Sequence, residues 1–179
     1  RSNLTMSRSP FVAVILCLAS LGSTVGADGE RPNILWLVID DMGADFSCYG
    51  ETVVETPHID RLAREGTRFT NAFLTAPVCS TARSAMITGM YQTTIGAHNH
   101  LSGRGKRRIA LPGEVVPVPL LFRMAGYVCS NENYPTRGGR AGKADYNFDW
   151  DKGMYDGPGF PKSRNGNPFF AQLQLHGGK

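Results

Sequence analysis

No apolar run in this chain is long enough to cross a bilayer comfortably, cysteines are few and the net charge is small. The longest apolar stretch, residues 11–21, follows Arg8 and leads to small residues, with Val25 and Ala27 at the positions a signal peptidase reads. Residues 1–27 are therefore expected to be a signal peptide that starts at Met6, and the protein is expected to be exported, periplasmic or secreted. Val14, Ile15 and Leu16 ahead of Cys17 make a poor lipoprotein box, so no stable membrane anchor is expected. Removing that leader takes away Arg1 and Arg8 and no acid. The surplus left from 19 basic and 15 acidic side chains is too small to argue for a nucleic-acid partner. Three cysteines then remain, Cys48, Cys79 and Cys129, an odd number for an oxidising compartment. If Cys48 and Cys129 pair, or stay buried, Cys79 is the one left for chemistry. No internal repeat, G-x-S-x-G, P-loop or dinucleotide fingerprint occurs, so serine-hydrolase and nucleotide-triphosphate chemistry have no support.

What is present begins with CSTARSAMITG, residues 79–89. Ala82, Met86 and Ile87 fall at helical spacing and Gly89 reads as a stop, which sets Cys79 at a helix N-terminus. Backbone N–H groups without helical partners and the positive end of the helix dipole favour an anion there, either a thiolate or a bound sulfate or phosphate. Residues 33–39, NILWLVI, form an apolar run without helical caps, as expected of a strand buried on both faces in a parallel sheet. Asp40 and Asp41 fall at its carboxyl end, the edge where open α/β sheets bind ligands.

Between these segments the spacing predicts a helix over 57–65, with Thr56 as N-cap, Pro57 at the first position, Ile59, Leu62 and Ala63 inward and Gly66 as stop. It also predicts a strand over 68–73. Farther on come a short helix over 118–125, a strand over 127–130, a glycine-rich loop over 137–148 and a last strand over 169–175. Strands alternating with helices give an α/β fold with a mostly parallel central sheet flanked by helices. His58, His98 and His100 read as solvated, and the basic cluster Arg104, Lys106, Arg107 and Arg108 as a surface loop.

APVCSTARSAMITGMYQTTIG resembles the signature of the type I sulfatases, in which a cysteine in C-x-P-x-R is converted to formylglycine. Thr81 stands here where that family usually has proline. The likeness extends through NILWLVIDDMGADFSCYG and TPHIDRLAREGTRFTNAF, about half the chain in unbroken order. It implies the alkaline-phosphatase-like sulfatase fold, with residues 28–179 as the N-terminal part of a catalytic domain truncated at its C-terminus. It also implies hydrolysis of sulfate esters of carbohydrates or of aryl or alkyl alcohols, formylglycine at Cys79 made by a maturation enzyme, and Ca2+ held by Asp40, Asp41 and the modified Cys79. Arg83 is implied to hold the nucleophile and Lys143 to contact the substrate sulfate. RGGRAGKADYNF resembles the family's G-K-x-H segment, but Asp145 occupies the histidine position. His176 follows a P-F-F strand and is a weak match to the histidine that helps the leaving group depart. Two other expectations stay open: a phosphonate or phosphate ester hydrolase of the same superfamily, and a non-catalytic remnant.

Overall fold

The computed structural model describes residues 31–102, 105–106, 108–134, 141–159, 161 and 166–176. The expected signal peptide thus falls outside the described residues, and the contacts of the chain set Pro32–Lys179 apart as one unit. Within it, β1 (Ile34–Ile39), β2 (Val128–Tyr134) and β3 (Phe169–Leu175) form a parallel sheet in the order β1-β3-β2. Ile34 pairs with Phe170 and Ile39 with Leu175, while Val128 and Tyr134 pair with Phe169 and Leu175, so all three strands end at one level. Parallel neighbours require crossovers, and the long segment between β1 and β2 carries the helices α1 (Pro57–Glu65), α2 (Cys79–Thr88) and α3 (Val118–Met124). Among the described residues no helix is long and apolar enough to cross a membrane.

The core lies on the side of the sheet where Trp36 meets Phe170, their ring centroids 6.1 Å apart. Ile87 of α2 joins Ile95, Ala97, Tyr146, Phe148 and Met154 there, with Trp36 and Leu120 packed at its margin. Phe122 of α3 stacks on Phe170 at 4.6 Å. The predicted burial of β1 on both faces holds for one face. Leu35 and Leu37 are 47% and 44% exposed, because β1 is the edge of the described sheet and its second face has no described helix over it.

Other expectations also meet corrections. Residues 68–73 form no strand: no described strand pairs with them, so their backbone has no ladder partner, and Phe73 stands 88% exposed. Leu62 of α1 is 57% exposed, because the helix rests on the turn at Ser47–Tyr49 through its polar side instead. Thr56 makes no side-chain cap; its Oγ1 accepts from Ser47 N at 3.0 Å and Ser47 Oγ donates to Asp60 at 2.8 Å. The strand expected over 127–130 continues to Tyr134, since polar Asn131 to Asn133 pair with β3 as well as apolar residues would. Cys48, Cys79 and Cys129 carry no disulfide. Cys129 is fully buried, its thiol facing the Pro119 carbonyl at 3.3 Å, and burial pushes its pKa up to about 12.

Candidate active site

Cys79 is the first residue of α2, preceded by Val78 in extended conformation with no side-chain cap. The first helical bond runs from Ala82 N to Val78 O at 2.9 Å, so the N–H groups of residues 79–81 have no partner within the helix. Gly89 ends the helix at φ +66, a left-handed conformation that glycine adopts without Cβ strain. Against expectation from its composition, α2 is buried on nearly every side: Ser80, Thr81, Arg83 and Ser84 are as enclosed as Ala82, Ala85 and Ile87. Their polar groups are matched locally. Thr81 Oγ1 donates to Val78 O at 2.8 Å and Ser84 Oγ to Ser80 O at 2.7 Å.

Asp40, just past the end of β1, is the electrostatic centre. One carboxylate oxygen receives Arg83 Nη2 at 3.2 Å and the other Lys143 Nζ at 2.6 Å. Burial pushes the Asp40 carboxyl up, but hydrogen bonds and charge from Lys143 and Arg83 outweigh it, and its pKa lies below the ordinary value. Burial correspondingly pulls Lys143 down, and the Asp40 hydrogen bond together with the charges of Asp40, Cys79 and Asp145 more than reverses that. Asp145 stands 3.5 Å from Lys143 Nζ. The group is therefore an ionised acid between two cations, beside a thiol at a helix N-terminus.

Three polar side chains from the strands hold those cations in place. Gln174 Oε1 accepts from Arg83 Nη1 at 2.5 Å, and Gln174 Nε2 donates to Asn131 Oδ1 at 3.0 Å. Asn131 Nδ2 donates to Gly142 O at 3.2 Å, and Lys143 N donates to Asn133 Oδ1 at 3.0 Å. Arg83 Nη1 also donates to Lys143 O at 3.1 Å. Gly142 passes so near β2 that a Cβ would lie 2.3 Å from Asn131 Oδ1 and 2.8 Å from Glu132 backbone. Sequence reasoning missed Asn131, Asn133 and Gln174. The signal was there: polar residues in strands that parallel packing would make apolar.

Cys79, Arg83, Asp40 and Asp41 line one groove of about 680 Å³ with Trp36, Met86 and residues 72–78. Lys143 joins through Asp40. The Arg83 guanidinium, expected to turn back toward position 79, is shared instead among Asp40, Gln174 and Lys143 O. His176, at the end of β3, is exposed and contacts Asn133 Oδ1 at 3.1 Å. His58 and His98 are exposed, as expected, whereas His100, also exposed, meets Ser80 Oγ at 2.9 Å. Of the basic cluster, Arg108 pairs with Asp149 at 3.7 Å, both exposed, while Arg104 and Arg107 lie outside the described residues.

Asp40 and Asp41 offer the hard oxygen donors that Ca2+ takes, and Asp40 is in the ionised state a cation needs. Asp41 has φ +54, an uncommon left-handed backbone for a residue with a side chain. Two carboxylates are a partial set against the six to eight oxygens Ca2+ prefers. Among the described residues no group of three or more His, Cys, Asp or Glu side chains is gathered closely enough to hold a metal.

The chain is 40% identical over 157 residues to an ulvan-active sulfatase of Formosa agariphila, covering 79% of this chain and 24% of that protein. A solved structure of BT4656 in complex with D-glucosamine-2-N,6-O-disulfate matches 81% of this chain and 34% of that one at 19% identity, with a TM-score of 0.59, a likeness of fold. The phosphonate monoester hydrolase of Agrobacterium radiobacter matches 80% of this chain and 26% of that one at 27% identity, with a TM-score of 0.53. The chain spans about a quarter of the length of the ulvan-active sulfatase. The Sulfatase family model matches residues 32–177, the whole described unit from the entry into β1 to the end of β3, and on that match the chain belongs to the sulfatase family.

Proposed function

We propose that the protein hydrolyses sulfate esters of a carbohydrate or of an aryl or alkyl alcohol at Cys79. The observation that carries this reading is the clustering of Arg83 and Lys143 on Asp40, beside a cysteine that opens a buried helix. A sulfate ester brings negative charge to its reaction centre. A helix N-terminus whose first N–H groups have no partner within the helix, together with two cations held in fixed positions, meets that charge without rearrangement.

Each side chain has a definite task in this reading. Asp40 fixes both cations and, with Asp41 and the modified Cys79, would hold Ca2+, which supplies charge neutralisation on the sulfate oxygens when bound. Lys143, 24% exposed, is the more accessible cation and can reach a sulfate oxygen, while Arg83 is 6% exposed and orients the first turn of α2. Conversion of Cys79 to formylglycine would supply a hydrated aldehyde, whose two hydroxyls allow attack on sulfur and later release of sulfate. Thr81 at the family's proline position does not disturb the turn that presents Cys79, because its hydroxyl closes on Val78 O and its side chain is buried. Export is part of the same reading, supported by Arg8 and the apolar segment 11–21, and would bring the protein to sulfated glycans outside the cell.

The test uses the protein made in its native host or together with a formylglycine-generating enzyme. Release of sulfate from 4-methylumbelliferyl sulfate is expected, lost on Cys79→Ala and on chelation, and restored in the second case by Ca2+. Matched phosphate and phosphonate esters are run beside it, and faster turnover of those esters would move the assignment to phosphoryl chemistry. An unmodified thiol at position 79 in peptide mass spectra would remove the proposed nucleophile.

A further inference from the structure

Four charged side chains are joined in one cluster beside Cys79. Asp40 takes Arg83 at 3.2 Å and Lys143 at 2.6 Å, and Asp145 stands 3.5 Å from the same Lys143 Nζ, its side chain 16% exposed. Asp40 alone would leave Arg83 and Lys143 with one positive charge in surplus, and Asp145 cancels it. The backbone of Asp145 lies at φ +50, in the left-handed region that aspartate and asparagine tolerate better than most residues with a side chain.

The loop that carries this acid is pinned at both ends. Gly142 N donates to Asn131 O at 3.0 Å and Lys143 N to Asn133 Oδ1 at 3.0 Å, both on β2. Asn147 N donates to Ser84 Oγ of α2 at 2.9 Å. Asp145 is thus carried to Lys143 by a fixed stretch of backbone. Lys143 in turn is bound to Asp40, which lines the groove with Cys79, and the charge of Cys79 acts on Nζ.

An oxyanion held on Lys143 Nζ at an ordinary hydrogen-bond length of about 3 Å lies within about 6.5 Å of Asp145. Repulsion between unit charges at that distance, part-way between water and a protein interior, corresponds to roughly tenfold in affinity. It acts once for each negative charge that the ligand brings. The histidine of the family's G-K-x-H segment carries no negative charge, so this repulsion belongs to the aspartate found here.

We propose that Asp145 is a specificity-determining residue that, acting beside Lys143, selects esters with one negative charge, such as sulfate monoesters, against esters with two, such as phosphate monoesters; this rests on the sulfatase reading above. A monoanion meets the Asp145 repulsion once and a dianion twice, which rejects the wrong substrate by an unfavourable contact rather than by a missing one.

The test uses three esters of one leaving group, 4-nitrophenol. The sulfate and the phenylphosphonate are monoanions at about pH 8, and the phosphate is a dianion there. Wild type, Asp145→Asn and Asp145→His, each made together with a formylglycine-generating enzyme, are compared in kcat/KM. Asparagine keeps the shape and the backbone preference of aspartate, and histidine is the second variant should asparagine not fold. In either variant the phosphate rate relative to sulfate is expected to rise about tenfold, while phosphonate relative to sulfate stays within about threefold. Equal changes on all three esters mark an acid that only anchors Lys143, and overturn the proposal. So does a rise that phosphonate shares with phosphate, which would follow phosphorus and not charge. Calorimetric binding of phenyl sulfate and phenyl phosphate gives a readout without turnover: Asp145→Asn is expected to tighten the phosphate about tenfold more than the sulfate. Equal shifts in the two overturn the proposal. If wild type carrying formylglycine hydrolyses none of the three esters, the sulfatase reading falls, while the binding comparison still decides what Asp145 does.

Discussion

Helices α1 and α2 are nearly equal in length and sit in the water in opposite ways. α1, PHIDRLARE, has the apolar and charged positions of an amphipathic helix, yet none of its nine residues is buried. α2, CSTARSAMIT, has few large apolar residues and buries seven of ten, including two serines, a threonine and an arginine. Burying a polar group is costly unless it finds a partner. Each polar side chain of α2 finds one, on its own helix or on another element: Ser80 with the His100 loop, Ser84 with Asn147, Arg83 with Asp40, Gln174 and Lys143 O. Burial in α2 thus follows hydrogen-bond complementarity rather than an apolar stripe. A helix enclosed in that way is fixed in position, as a helix presenting a reactive residue at its first turn must be.

The sharpest way to break this contrast is to remove the charge that α2 was built around. Asp40→Asn keeps the shape of the side chain but takes the counterion from Arg83 and leaves Lys143 with Asp145 at 3.5 Å. Removing one partner of a buried pair costs about 3–5 kcal/mol, and activity on sulfate esters is expected to fall by roughly a thousandfold, as when a fixed charge-stabilising group is lost. Urea unfolding of the purified variant measures the first quantity. Adding Arg83→Met to Asp40→Asn removes a stranded cation and is expected to recover part of the stability and none of the activity. Stability within about 0.5 kcal/mol of wild type for Asp40→Asn alone would mean that α2 is not held by this pair.

A smaller effect is expected where the loop bearing Lys143 presses on β2. Gly142→Ala places a methyl group 2.8 Å from Glu132 main-chain atoms, which cannot swing aside as a side chain can. Overpacking of this kind costs about 1–3 kcal/mol, and because Lys143 is the next residue, kcat/KM should drop more than the fold destabilises. Gly113 is the control, since a Cβ there meets nothing within 4 Å. If Gly113→Ala and Gly142→Ala melt alike, the close approach at Gly142 is not a constraint on the site.

These positions also show how far the sequence could be read. The apolar run at 33–39, the P-F-F strand and the glycine stop at Gly89 are local signals, and the structure places β1, β3 and the end of α2 where they point. Asp40 and Lys143 were legible through the family's motifs, but not as a direct pair, since 103 residues separate them and only the parallel β1-β3-β2 order brings them together. Gln174 and Asn131 were not legible as site residues. Their role depends on register, and register between distant parallel strands leaves no mark in either strand alone. The strand expected over 68–73 failed for a related reason: alternation describes a strand's faces and says nothing about a neighbour for its edges. His100 reads as solvated from the sequence because its loop is polar and contains glycine. Its one anchoring contact comes from a serine 20 residues earlier.

The gentlest test lies on α1. Leu62 occupies the inward position that helical spacing assigns it, and the structure leaves it 57% exposed, so Leu62→Ser removes little apolar area from a protected place. The expected change is within about 0.5 kcal/mol, mostly the lower helix propensity of serine, with activity on sulfate esters unchanged. Thermal or urea unfolding of the variant decides it. A loss above about 1.5 kcal/mol would require that face of α1 to be covered in solution, since leaving an exposed leucine in water cannot stabilise a fold by that much. The two helices would then differ in the chemistry of what covers them and no longer in whether they are covered.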